Sequence, residues 1–208
     1  MSAVTFHIRP PSERERNEAG FRLQKVIRPR RGGETVYVGH GAPAGGAGAG
    51  ARPRFALYRD LAGREPLGFV VRPVAGRSSG VRLAVLGPRG EALGELETPA
   101  KRARWRPRHE IRLPDGRVLA GHGGTATSWV VFVVLSPLWL VVNLLWAVGG
   151  SGDAAWSLPV RTAWRRRQGF RAPLKYHGMT GRYRVRTDRL DVRVAYAQAV
   201  VHGSGSAS

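Results

Sequence analysis

The side chains able to do chemistry are few and scattered. Six histidines occur, His7, His40, His109, His122, His177 and His202, and none is spaced with another as metal ligands are. The chain has no cysteine, which removes disulfides, thiol nucleophiles and thiolate metal sites. Gly76-Arg77-Ser78-Ser79-Gly80 matches the G-x-S-x-G pattern of a hydrolase nucleophile. That serine works only from a strand-to-helix turn, and residues 81–86 alternate like a strand, so a hairpin loop is expected. The glycine-rich runs at 45–51 and 150–155 lack the strand–helix setting of a dinucleotide loop, and there is no P-loop. Asp60, Asp115, Asp153, Asp188 and Asp191 fall at turns or helix starts, where turn and capping roles are expected. No catalytic residue, metal ligand or cofactor site is expected, so the chain reads as a binding protein and not as an enzyme.

What the sequence does offer is positive charge. Its 208 residues carry 34 Lys and Arg against 14 Asp and Glu, a formal charge of +20. Lys25, Lys101 and Lys175 are the only lysines, so almost every cation is a guanidinium. Such a chain favours phosphates, of lipid headgroups or of nucleic acid. Linear clusters lie at 28–31, 101–108 (KRARWRPR) and 161–171. The last two include Trp105 and Trp164, read here as interfacial anchors. The expected headgroup-binding residues are Arg102, Arg104, Arg106, Arg165, Arg166 and Arg167. Arginine with aromatics also suits base stacking, so nucleic acid is the rival partner. No RNP1, zinc-finger or helix-turn-helix pattern accompanies it.

One segment carries no formal charge at all, residues 118–152. Inside it, residues 129–148 (WVVFVVLSPLWLVVNLLWAV) are about as long as a bilayer is thick. Thirteen Val, Leu and Phe residues, at roughly −0.3 to −0.6 kcal/mol each, favour insertion by several kcal/mol. Ser136, Pro137 and Asn143 oppose it. Trp129, Phe132, Leu138, Trp139, Leu145 and Trp146 are the expected membrane-contacting residues, with the end tryptophans at the interface. Pro137 removes a helix hydrogen bond and could seat a bend, allowing a re-entrant or in-plane arrangement. Arginines flank the block on both sides, so charge does not orient it. The competing expectation buries the block in the fold or in a subunit interface.

The elements that must position these groups read mainly as hairpins. Strand-like runs are joined by turns at Gly63, Gly90 and Gly116, spaced 27 and 26 residues apart. After the apolar block, 158–165, 171–177 and 183–187 are short strand candidates. Residues 191–202 (DVRVAYAQAVVH) then read as a helix capped by Asp188 or Asp191. Only Arg193, Gln198 and His202 are polar after the aspartate, so that helix should be buried.

Repeated hairpins ending in an apolar helix led by Leu190-Asp191 resemble the tubby-like superfamily, and within it the LURP-one-related and phospholipid-scramblase-like branch. The residues that carry the resemblance are the hairpins at Gly63, Gly90 and Gly116, residues 178–187 (GMTGRYRVRT) and residues 190–201. The resemblance implies an antiparallel β-barrel closed around a central hydrophobic helix. The family's cysteine motifs are absent. The expected organisation is a disordered arm at 1–20 and one barrel domain at 21–202, then a disordered tail at 203–208. The barrel would carry a flexible loop at 39–51 and a hydrophobic helical insert at 125–150. The N-terminus has no apolar leader, so the bulk of the chain is expected on the cytoplasmic side of a membrane. Three roles follow. The first is a membrane-associated protein binding anionic lipid or a membrane partner. The others are a single-pass scaffold with two independent β pieces, and a soluble domain binding nucleic acid.

Overall fold

Period-two alternation of apolar and charged side chains runs through most of the chain and makes strands. The computed structural model describes residues 2–40, 52–73, 81–98, 108–123, 161–166 and 172–205. In chain order these form β1 (Ala3–Arg9), α1 (Glu13–Glu18), β2 (Arg22–Pro29), β3 (Val36–His40), β4 (Arg52–Tyr58) and β5 (Pro66–Arg72). Next come β6 (Val81–Leu86), β7 (Ala92–Thr98), β8 (Arg108–Arg112), β9 (Val118–Gly123), β10 (Arg161–Arg166), β11 (Leu174–His177) and β12 (Arg182–Arg186). A final helix, α2, spans Val192–Gly205.

Each strand pairs antiparallel with its sequence neighbours, and β1 pairs with β12, giving a closed twelve-stranded barrel. The hairpin turns form as their glycines require. Gly63, Gly90 and Gly116 all have φ between +72° and +83°, the left-handed region that a side chain disfavours. The inward side chains of the strands and the buried face of α2 make one cluster, including Phe6, Ile27, Leu57, Leu83, Leu96, Ile111, Trp164, Val185 and Tyr196. From Val194 to Val201 every residue of α2 is at most 6% exposed, so the helix is enclosed on all sides. Asp191 caps it as expected, its Oδ1 accepting from the Arg193 N–H at 2.8 Å.

Three expectations are corrected. The supposed arm at 1–20 is structured. Val4, Phe6 and Ile8 of β1 face the core, and α1 carries a full capping box between Ser12 and Glu15. No turn signal precedes β1, and its alternation spans only seven residues, so the sequence marks it weakly. Gly39 and His40 belong to β3, and Gly203 to Gly205 belong to α2. The remainder of the 39–51 loop and the insert at 125–150 lie outside the described residues. Among the described residues no helix is long and apolar enough to cross a membrane.

The antiparallel order sorts the connections between two rims. Short turns at 30–35, 59–65, 87–91 and 113–117, with 167–173 and the entry to α2, lie at one, the turn rim. The connections 41–51, 73–80, 99–107 and 124–160 all leave from the other, the long-connection rim. Strands before and after the uncharged block are therefore direct neighbours, with Gly123 opposite Thr162.

Closure through β1 makes a sharp expectation. A chain starting at Pro11 leaves the edges of β2 and β12 unpaired and α2 uncovered. It should lose near-ultraviolet circular dichroism and its cooperative thermal transition. A truncated chain that melts like the full one would show that β1 is dispensable.

Candidate anion-binding surface

The sequence-nominated residues separate in the fold. Arg165 and Arg166 are exposed on β10, opposite Ala120 and Leu119, toward the turn rim. Arg161 begins the same strand at the other rim, about 17 Å away at roughly 3.3 Å per residue. The linear cluster 161–171 is thus not one patch. Arg102, Arg104, Arg106 and Arg167 lie outside the described residues, as do Trp105, Trp129, Phe132, Leu138, Trp139, Leu145 and Trp146. Trp164 is no interfacial anchor: it is fully buried inside the barrel. It fits because Gly121, its partner on β9, has no side chain. A Cβ there would meet the indole Nε1 at 2.5 Å.

The register assembles a different set of cations. On the outer wall Arg28 of β2 lies opposite His7 of β1, and His7 opposite Arg182 of β12. Arg182 lies opposite His177 of β11, and His177 opposite Arg161 of β10. One row toward the turn rim, Thr5, Arg184, Lys175 and Ala163 pair across the same strands. Six adjacent strands, β9 through β12 with β1 and β2, contain no carboxylate. Like charges directly opposite one another weaken a sheet, so this wall is held against its own repulsion.

Only β7 and β8 carry carboxylates among the strands, and there Glu97 and Glu110 pair with arginines. Glu97 of β7 lies 3.9 Å from Arg82 and 3.4 Å from Arg112, and Glu110 of β8 lies 3.6 Å from Arg112. At the turn rim Arg193 bridges Asp191 and Glu91. Among the described residues Arg28, Arg161, Lys175, Arg182 and Arg184 have no ion-pair partner. The field shows on His177. Burial lowers its pKa, and Arg161, Lys175 and Arg184 lower it further. Sequence reading missed the wall because alternation disperses it. In β12 (RYRVR) the arginines face out while Tyr183 and Val185 face in. That pattern was the available signal.

Behind the wall lies an aromatic and histidine cluster. Tyr183 stacks on Phe6 with centroids 5.3 Å apart, and its hydroxyl is 3.0 Å from His202 Nδ1. The His202 ring sits 5.1 Å from that of His109 and 5.5 Å from that of Trp164. Two histidines 93 residues apart in sequence are thus neighbours. Among the described residues no three His, Cys, Asp or Glu gather as metal ligands. Burial and the adjacent His109 push the His202 pKa down to about 4, and burial lowers that of His109. Among the described residues, His109 Nδ1, Thr162 Oγ1, Trp164 Nε1 and both amide atoms of Gln198 are buried and find no hydrogen-bond partner. Each such atom left unpaired costs its desolvation penalty, about 1–3 kcal/mol.

No protein-family model matches this chain, and comparison with curated proteins and with solved structures finds no match.

Two expectations follow. Both interior histidines are neutral in the fold at pH values where they would be charged once unfolded. Between about pH 6.5 and about pH 4 the unfolded chain therefore binds more protons. Stability should be complete above that window and fall as pH drops through it, by up to about 3 kcal/mol for His202. Urea titrations across the window should show this slope, and His202→Leu should flatten it. Separately, Arg184→Glu places an opposite charge across from Lys175. It should raise stability in urea by roughly 0.2–1 kcal/mol, and a decrease would contradict the repulsion argued here.

Proposed function

We propose that the protein is a non-catalytic membrane-associated protein that binds anionic lipid headgroups, tubby-like in plan. In this reading the wall of β10, β11, β12 and β1 faces the headgroups. Residues 129–148 contact the bilayer beside it through Trp129, Phe132, Leu138, Trp139, Leu145 and Trp146. The observation that carries the reading is a juxtaposition. The strand that receives the uncharged block, β10, is itself part of the unneutralised wall.

Topology supports contact from one side. Gly123 and Thr162 are direct partners, so the block leaves and rejoins the barrel at one place on one rim. A single crossing would part its flanks, which weighs against a scaffold with two independent β pieces. Connection 99–107, with Arg102, Arg104 and Arg106, joins that same rim. Arg165 and Arg166 lie toward the turn rim and contribute less. The strands' outward Arg and Glu side chains also suit a wall bathed in water and headgroups and not one immersed in lipid. Nucleic acid is disfavoured, because Trp164, Tyr176 and Tyr183 point inward, and among the described residues of this wall no Trp, Tyr or Phe faces outward for stacking.

Membrane fractionation tests the reading. The intact protein should stay pelleted through high salt and alkaline carbonate, and a chain lacking 129–148 should be released by salt alone. On phosphatidylglycerol-containing vesicles, Arg182→Ala with Arg184→Ala should weaken binding roughly thirtyfold, at about 1 kcal/mol per cation. A protein that never pellets and instead shifts duplex DNA would overturn the proposal.

A further inference from the structure

We infer that His177 makes the engagement of an anionic surface by this wall proton-linked, the protein gripping more tightly as pH falls. The inference rests on the membrane reading and adds to it a regulation.

The argument starts from what surrounds the ring. His177 closes β11 on the outer face, in register with Arg161 on one side and Arg182 on the other. Lys175 precedes it on its own strand, and Lys175 is opposite Arg184. Arg165 lies further along β10, and His7 and Arg28 continue the row on β1 and β2. None of these elements carries a carboxylate. The ring is half-buried, and among the described residues it has no hydrogen-bond partner. Among the described residues, the charged groups that act on it, Arg161, Lys175 and Arg184, all have the sign that opposes a proton.

An anionic surface reverses that arrangement. Phosphodiesters seated on Arg161, Arg182, Lys175 and Arg184 cancel the neighbouring positive charge and add negative charge of their own. The imidazole then gains a proton that it lacks in the free protein at neutral pH. By linkage, whatever raises proton affinity on binding must raise binding affinity on protonation. Guanidinium and ammonium groups in general supply attraction that varies little with pH in this range. His177 is placed to supply the dependence, because its ordinary range spans the interval between neutral and mildly acidic compartments.

The size of the effect follows from the recovered shift. One unit of pKa recovered on binding is worth up to tenfold in affinity, spread over about pH 7 to about pH 5. This window overlaps that of the buried histidines, but the two effects differ in readout. The interior pair changes stability, and the wall histidine changes binding of the folded protein.

The experiment measures binding of the full chain to phosphatidylcholine vesicles containing phosphatidylglycerol, whose phosphodiester does not titrate here. Affinity should rise several-fold from about pH 7.5 to about pH 5.5, with far-ultraviolet circular dichroism unchanged. His177→Gln should flatten the pH profile, and His177→Arg should bind tightly at both ends of it. His7→Gln should leave most of the slope. A slope that survives His177→Gln, or that disappears with His7→Gln, overturns the assignment while leaving membrane binding intact. Absence of binding at any pH overturns the membrane reading itself.

Discussion

The structure depends on keeping one helix dry. Between Val194 and Val201, α2 presents apolar side chains and Gln198 to every side, and all are buried. A helix with no wet face needs a wall around its whole circumference. A single sheet layer can supply that only by closing on itself, and twelve strands do so here. Closure also explains the demand on inward positions. Tyr183, Phe6 and Tyr196 pack ring against ring where strand and helix meet, and Gly121 yields its side-chain space to Trp164.

Closure then fixes the electrostatics. Alternation sends every second residue outward, and the composition makes many of those residues arginine. The carboxylates on strands are confined to β7 and β8, where they pair with Arg82 and Arg112. The other ten strands, β9 to β12 and β1 to β6, carry none. A sheet tolerates such one-signed rows because each opposed pair weakens it by only about 0.2–1 kcal/mol. The large apolar interior offsets that cost. The strand carboxylates occupy one stretch of sequence, Glu95 to Glu110, whereas the row of cations exists only because closure sets β12 beside β1.

Much of the architecture was legible beforehand. The turn glycines announced three hairpins, and the composition of α2 announced its burial. Each is a local signal read over ten or so residues. The first strand was not legible, because its alternation is short and its partner β12 lies at the far end of the chain. The basic surface was misread for a related reason. Runs such as 101–108 and 161–171 draw the eye, yet a strand aims neighbouring residues to opposite faces, as Trp164 and Arg165 illustrate. The row that does form joins residues from five strands, and only register places them together. The pairing of His109 with His202 is equally non-local.

The seam between β1 and β12 has a further consequence, for the order in which the molecule can be made. The first strand to leave the ribosome has to wait for the last, and the helix that fills the cylinder is made after both. Until then the inner faces of all twelve strands lack the helix they pack against. The uncharged segment between β9 and β10 is already synthesised by that stage. A nascent chain in this condition gains from an apolar surface close at hand. Assembly of this barrel thus has to await its last strand and helix, is slow by the standards of locally connected folds, and is exposed to aggregation while it lasts.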